Sequence, residues 1–76
     1  MSVSFKELQK KGTWLKSCQK NIREGQHGWA LTHYKRYKEL GGKQTFRDLI
    51  KTSRASKLQK ESALYYYKTH HKNYKL

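Results

Sequence analysis

Aromatic and aliphatic residues recur at three- and four-residue intervals along this chain. Proline is absent, and the breaks in the pattern fall at glycines. Such spacing places apolar side chains on one face of an α-helix. No stretch alternates apolar and polar residues for long enough to form a strand. The pattern therefore predicts an all-α fold, a small compact bundle of four or five short helices.

The glycines divide the chain into segments with helical periodicity. The predicted helices are residues 4–10, 13–24, 28–40, 45–52 and a last helix from Ser56 nearly to the C-terminus. Capping-box spacing, in which an acidic or amide residue follows a Ser or Thr by three positions, occurs at Ser4, Thr45 and Ser56. Gly25 stands where a left-handed C-cap is expected. A turn is predicted over residues 52–56.

A chain of 76 residues is long enough for one domain, so residues 1–76 are predicted to form a single small basic unit. Its core is predicted from the apolar face of each helix. The predicted core residues are Trp14, Ile22, Trp29, Tyr37, Leu40, Phe46, Leu49, Ile50, Leu58 and Tyr65. Cys18, the single cysteine, is predicted to be a buried apolar residue, not a reactive thiol.

Charge gives the main indication of function. The chain has 18 Lys and Arg residues against 5 Asp and Glu residues, a net charge of +13. Self-repulsion at this density opposes compaction, and binding to an acidic partner relieves it. The two Trp, two Phe and six Tyr residues argue against a disordered chain.

A basic stripe on the last predicted helix is the strongest functional signal. At about 100° per residue, five lysines fall within an arc of about 120°, and Glu61 is the one acidic residue that offsets them and Arg54. The predicted nucleic-acid-binding residues of this region are Arg54, Lys57, Lys60, Lys68, Lys72 and Lys75, with Tyr67 at the edge of the arc. A lysine-rich face can bind a row of phosphates by releasing counterions; the alternative is a solvated helix face.

A second basic face is formed by Lys16, Lys20 and Arg23 on the predicted helix 13–24. The sequence leaves open whether it continues the surface of the last helix. Tyrosines lie among the basic residues, where exposed rings can stack on unpaired bases or donate to phosphates. For Tyr34, Tyr37, Tyr65 and Tyr66 we expect core packing instead.

Catalysis, cofactors and metals find little support in the sequence. The five carboxylates are scattered, and the chain has no glycine-rich phosphate loop or nucleophile elbow. His70 and His71 are adjacent and diverge by about 100° on a helix, so they cannot chelate one metal together. We therefore expect no enzyme activity, no cofactor and no metal site.

Membrane association is not expected either. No apolar run approaches the roughly 18 residues of a membrane span, and the N-terminus lacks the apolar stretch of a signal peptide. The sequence therefore predicts an intracellular protein, in the cytoplasm or nucleoid, in a nucleus, or packaged in a virion.

Two resemblances are partial. The size, charge and C-terminal aromatic-basic helix resemble an HMG box, but the expected prolines and tryptophan spacing are missing. The segment from Thr45 to Leu64 resembles a helix-turn-helix in having two short helices around a turn. Arg54 stands where the turn glycine is expected, however, and Lys60 where the second helix is expected to show an apolar residue. The sequence is assigned to neither family.

The sequence thus favours non-enzymatic binding of nucleic acid, with DNA slightly preferred to RNA, mainly through phosphates. Low sequence specificity is expected because the chain has four arginines, and bidentate arginine is the commonest specific reader of guanine. The alternative is a small basic adaptor or inhibitor, of the kind that phages and viruses use, which docks on an acidic protein surface or on a nucleic-acid enzyme.

Overall fold

The computed structural model describes residues 5–76, with side-chain detail from Lys10 onward. These residues form four α-helices and a final 3-10 turn, which confirms the prediction of an all-α fold. The elements are α1 (Phe5–Glu24), α2 (His27–Glu39), α3 (Phe46–Thr52), α4 (Lys57–His70) and the 3-10 turn (His71–Tyr74). The predicted capping box at Ser4 lies outside the described residues.

α1 is one continuous helix of 20 residues, so the predicted break at Gly12 is wrong. A glycine inside a helix costs about 0.5–1 kcal/mol relative to alanine, which is too little by itself to end a helix. The contact between α1 and α2 is more extensive than that between any other two helices of residues 5–76. Cys18 and Ile22 are completely buried on its inner face.

The connection between α1 and α2 forms at the predicted glycine. Gly25 has a φ of +77°, and its N–H donates to the carbonyl oxygen of Ile22 at 3.3 Å. The N–H of Gln26 donates to the Asn21 carbonyl oxygen at 2.8 Å. These bonds satisfy the last carbonyls of α1 and turn the chain directly into α2.

α3 begins at a complete capping box. The Thr45 hydroxyl accepts from the Asp48 N–H at 3.2 Å, and the Asp48 carboxylate accepts from the Thr45 N–H at 3.1 Å. Before it, Gly42 packs so tightly under the Tyr37 ring that a Cβ atom there would overlap it. The Tyr37 hydroxyl accepts from the Gln44 N–H at 3.0 Å, which fixes the chain between α2 and α3.

The turn between α3 and α4 is closed by a buried serine. The Ser53 hydroxyl donates to the Ile50 carbonyl oxygen at 2.7 Å and accepts from the Ala55 N–H at 3.2 Å. Arg54 follows with a φ of +63°, the left-handed conformation that favours glycine. Ser56 then caps α4 by accepting from the Gln59 N–H at 3.2 Å.

α4 ends at His70, earlier than predicted, and a 3-10 turn follows. Side chains of the last turn bind its carbonyl oxygens: Nδ1 of His70 lies 3.2 Å from the Tyr66 oxygen, and Nδ1 of His71 lies 2.9 Å from the Tyr67 oxygen. Such local bonds compete with the continuing helix. Lys75, with a φ of +59°, closes the segment.

Half of the predicted core is confirmed. Ile22, Tyr37, Phe46, Leu49 and Ile50 are buried. Trp14 and Leu40 are half-buried. Three predicted core residues are instead exposed, namely Trp29 (62% exposed), Leu58 (72%) and Tyr65 (70%).

The orientation of α4 explains two of these errors. α4 turns Ala63 and Tyr67 inward, and the small Ala63 is completely buried. The Tyr67 ring lies parallel to Phe46, with centroids 4.9 Å apart. Tyr65 lies two residues from each, roughly on the opposite face of the helix. Cys18 and Tyr34 are buried as predicted, and Ala30 and Leu31 complete the core.

Candidate nucleic-acid interface

A groove between α3 and α4 brings together cations from both helices. Arg47 and Lys51 line it from α3, and Lys68 lines it from α4. Ile50 and Leu64 supply apolar lining between them. The groove has a volume of about 410 Å³. We call these five residues the α3–α4 groove.

Helical spacing places the cations in two rows. Arg47 and Lys51 are four residues apart on one exposed side of α3, whereas Phe46 and Leu49 are buried. On α4, Lys60 precedes Leu64 and Lys68 at the same interval. Nζ of Lys60 lies 3.5 Å from the Lys51 carbonyl oxygen, at the limit of a hydrogen bond. The arrangement therefore presents cations on both sides of an apolar floor.

None of the five residues that line the groove is acidic. Asp48 is the nearest acidic residue along α3, and its carboxylate accepts from the Thr45 N–H in the capping box. Bonds from the backbone and side chain of Thr45, with a smaller contribution from the Lys51 charge, hold the pKa of Asp48 below its usual value. Within residues 10–76 the one ion pair is Lys20–Glu24, at 4.0 Å on the surface of α1. The cations of the groove therefore form no ion pair within residues 10–76, so their charge is available to a ligand.

The predicted stripe of five lysines is not formed as a single arc. Lys57, Lys60 and Lys68 lie on α4, but Lys72 belongs to the 3-10 turn and Lys75 follows it. The predicted arc assumed a helix to the C-terminus, and α4 stops at His70. Lys75 instead lines a small pocket with Lys38, near Tyr34 and Tyr67.

Tyr67 is not an exposed stacking residue. Its ring is stacked with both Phe46 and His71, at 4.9 and 5.2 Å between centroids. The half-buried ring therefore packs against the core. Arg47 and Lys51 were missed by the sequence reasoning. Their four-residue spacing, which places both on one side of α3, was the available signal.

The second predicted basic face adjoins the turn between α3 and α4. Arg23 donates from Nη1 to the Ser53 carbonyl oxygen at 2.8 Å, directly before Arg54 in the chain. Gln19 donates from Nε2 to the Leu49 oxygen at 3.2 Å and to the Thr52 hydroxyl at 2.6 Å. Lys16 and Lys20 on the same helix are exposed. This face of α1 therefore meets the C-terminal end of α3, at the turn that carries Arg54.

A separate aromatic feature lies across α1 and α2. The His33 ring stacks with two tryptophans, with centroids 5.3 Å from Trp14 and 6.0 Å from Trp29. Its Nδ1 lies 2.6 Å from Oδ1 of the buried Asn21. Burial and the Arg36 charge lower the pKa of His33. We call Trp14, His33 and Trp29 the aromatic column.

Next to the aromatic column, the start of α2 forms a pocket of about 600 Å³. Its lining comprises residues 25–29, Thr32, Tyr66 and Tyr74, and we call it the α2 pocket. Burial lowers the pKa of His27, and a hydrogen bond with Gln59 partly offsets this. Nδ1 of His27 is buried and has no hydrogen-bond partner among the described residues. The lining contains no charged carboxylate, lysine or arginine.

The remaining reactive groups form no further site. Burial raises the pKa of the Cys18 thiol to about 12, so the nucleophilic thiolate is strongly disfavoured. Across residues 10–76, whose side chains the structure describes, no three His, Cys, Asp or Glu side chains cluster as metal ligands would. None of the helices described between residues 5 and 76 has the length and apolar character needed to cross a membrane.

Comparison with known protein families, with curated proteins and with solved structures finds no match for this chain. The interpretation of the groove and the pocket therefore depends on their own chemistry.

Proposed function

We propose that this protein binds nucleic acid without catalysing a reaction, mainly through phosphates and with low sequence specificity, and with DNA slightly favoured over RNA. The observation that carries the proposal is the α3–α4 groove, where Arg47 and Lys51 of α3 and Lys68 of α4 line one surface and none of the five lining residues is acidic. Phosphate oxygens are the ligands that such a set of unpaired donors fits best. The proposed setting is intracellular, or a packaged particle.

The positions of other cations extend the surface that a strand can follow. Lys60 lies beside Lys51, and Arg23 is held at the turn that carries Arg54. Exposed lysines and arginines release counterions when they contact phosphates, so their number sets how steeply affinity falls with salt. A net charge of +13 spread over one small chain supports the same mode of binding and gives no means of reading sequence.

A salt titration tests the proposal. Affinities for duplex DNA, single-stranded DNA and RNA of equal length are measured over a range of salt concentrations. We expect a steep linear loss of log affinity with log salt. Replacing Arg47, Lys51 and Lys68 with Gln is expected to reduce the slope by about 0.9 for each lost phosphate contact on duplex DNA. These substitutions change helix propensity little, so the variant should keep its helices.

The matched control replaces Lys10, Lys38 and Lys43 with Gln. These three residues are exposed and lie outside the α3–α4 groove, so the net charge changes equally while the groove stays intact. A smaller change of slope is expected. If both triple variants weaken binding equally, the charge of the whole molecule and not the groove governs affinity. Affinity weaker than about millimolar for every nucleic acid at low salt would refute the proposal.

A second candidate function has one observation in its favour. Leu58 and Tyr65 are 72% and 70% exposed and lie seven residues apart on the outer face of α4. Exposed apolar side chains on one helix stripe are typical of a protein-docking surface. A basic adaptor or inhibitor that binds an acidic protein would use them. Purified protein that carries nucleic acid, removable by high salt, favours the first function over the second.

A further inference from the structure

The α2 pocket lies on the other side of α4 from the α3–α4 groove. Tyr66 lines the pocket and Leu64 lines the groove, and residues two positions apart on a helix diverge by about 200°. The two sites are therefore separated by the width of one helix, about 10–12 Å. A single strand of several nucleotides is long enough to contact both.

Trp29 supplies the pocket with a fixed aromatic wall. The indole is 62% exposed, although tryptophan is usually among the most buried residues. One side of it is supported by the His33 ring, whose plane is inclined by 26° to the indole. Asn21 in turn holds His33 through the bond between Oδ1 and Nδ1. Because the indole is already positioned, stacking a ring on it costs little conformational entropy.

The polar groups around this wall are neutral. The Thr32 hydroxyl donates to the Gly28 carbonyl oxygen at 3.1 Å, and Tyr66 and Tyr74 add two further hydroxyls to the lining. Oε1 of Gln26 accepts from Asn21 at 3.1 Å, so the Gln26 amide nitrogen is the group left to donate. Hydroxyls and an amide suit an uncharged ring that carries its own donors and acceptors. They give no counter-charge for a free phosphate or a metal ion.

Gly28 keeps the pocket open at its base. A Cβ atom at this position would lie 3.3 Å from the Tyr66 hydroxyl oxygen and 3.6 Å from that of Tyr74. The space of about 600 Å³ lies within the range of pockets that take small molecules, about 300–1,000 Å³. A planar heterocycle between Trp29 and the tyrosine hydroxyls fits this lining.

We propose that the α2 pocket accepts one unpaired base of a nucleic-acid strand, stacked on Trp29. This inference rests on the proposed function, because the α3–α4 groove supplies the phosphate contacts that hold the strand. Every base has a π-face, so stacking here adds affinity with little preference for sequence. Paired bases are excluded, since a base within a duplex is not free to enter the pocket.

The test compares two fluorescently labelled single strands of equal length, oligothymidylate and an abasic strand with the same number of phosphates. We expect the full-length protein to bind the base-containing strand about tenfold more tightly, because only that strand offers a base to stack on Trp29. Trp29→Ala is expected to abolish this difference, whereas Trp29→Phe retains most of it. Circular dichroism checks that the variants keep their helices.

Tyr65→Ala provides the matched control, because Tyr65 is an equally exposed aromatic residue outside the pocket. It is expected to leave the preference for bases unchanged. Equal affinity of the unaltered protein for both strands would overturn the base pocket and leave phosphate binding intact. Loss of the preference in Tyr65→Ala, or its persistence in Trp29→Ala, would also overturn it. If neither strand binds, the proposed function fails together with the pocket.

Discussion

The two sites on either side of α4 differ in what positions their functional groups. In the α3–α4 groove, long cationic side chains extend from two helices over Ile50 and Leu64, and few bonds restrain them. In the α2 pocket, Trp29 is supported by His33, which Asn21 holds through a hydrogen bond. Flexible charges suit attraction to any phosphate chain, whereas a fixed neutral wall suits contact with one ring. The comparison suggests that the cations of the α3–α4 groove first attract a strand, and that the α2 pocket then makes a short-range contact with it.

Both sites depend on one core, and this gives the largest expected effect. Phe46 is 1% exposed and contacts Tyr67 of α4 and Tyr34 of α2. Phe46→Ala is expected to lower the free energy of unfolding by about 3–5 kcal/mol, which approaches all that a core of this size supplies. Leu58→Ala, at a 72% exposed position, should change it by less than about 0.5 kcal/mol. Thermal melts followed by circular dichroism measure both.

An unchanged melt in Phe46→Ala would mean that α1 and α2 are stable without α3. The α3–α4 groove and the α2 pocket would then belong to two parts of the chain that fold separately.

Glycine-to-alanine changes should act in opposite directions in the two halves of the molecule. At Gly42 an added Cβ atom overlaps the Tyr37 ring, so Gly42→Ala is expected to destabilise the protein by about 1–3 kcal/mol. At Gly12, an added Cβ has no atom within 4 Å among the described residues, apart from the adjacent residues and the nearby backbone of α1 itself. Gly12→Ala should therefore raise the free energy of unfolding by about 0.5–1 kcal/mol.

Urea unfolding at constant slope measures both glycine variants. A neutral Gly42→Ala would show that the connection before α3 does not hold the groove helix against the core.

Arg54 allows charge and backbone conformation to be separated next to the groove. Its φ of +63° costs an L-residue about 1–2 kcal/mol, and glycine avoids this cost while making the unfolded chain more flexible. We expect Arg54→Gly to raise the free energy of unfolding by about 0.5–1 kcal/mol, and Arg54→Ala not to raise it. Both variants lose the same charge, so their salt slopes on DNA should agree.

Different slopes for Arg54→Gly and Arg54→Ala would show that the turn conformation, besides the charge, positions the groove for binding. Chemical denaturation and the salt titration together give this answer.

Acidification should affect the α2 side before it affects α3. Burial lowers the pKa of His27 and of His33 in the folded protein. The unfolded state therefore takes up protons first as pH falls below about 6.5, and stability present above that pH is lost on acidification. For Asp48, hydrogen bonds from Thr45 lower the pKa. Its contribution persists to a lower pH and is lost as pH falls through that lowered value.

Urea midpoints at about pH 7.5 and about pH 5.5 test the histidine effect. The unaltered protein is expected to have the lower midpoint at the lower pH, and His27→Gln/His33→Gln should reduce the difference. Asp48→Asn is the control, because it should remove only the loss of stability that Asp48 causes at lower pH. A midpoint that rises on acidification would contradict the sign derived from burial.

The sequence predicted local structure better than orientation. Capping at Thr45 and Ser56 and the left-handed Gly25 are confirmed, because each depends on bonds between residues close in the chain. The prediction of which face α4 buries was wrong, because the three consecutive tyrosines Tyr65–Tyr67 place an aromatic ring on almost every side of the helix. The parallel contact of Tyr67 with Phe46 decides the orientation, and that contact joins distant parts of the chain.

The candidate sites follow the same division. Lys60 and Lys68 were predicted as binding residues, and the structure places Lys68 in the groove and Lys60 beside it. Arg47 and Lys51 become significant only because α3 packs beside α4. Trp29 was predicted to be in the core because helical periodicity places it beside Ala30 and Tyr34. Periodicity identifies a face but does not show where the neighbouring helix ends.

Asn21 and Ser53 are the two buried polar residues among residues 10–76. Apolar side chains can pair with one another in many collapsed arrangements, so a small core alone separates the native state poorly from its competitors. An amide and a hydroxyl that lose water find their partners only where the native turns form. Misassembled compact states therefore leave these groups unsatisfied and rise in free energy. In landscape terms, the two residues widen the gap between one fold and its near alternatives.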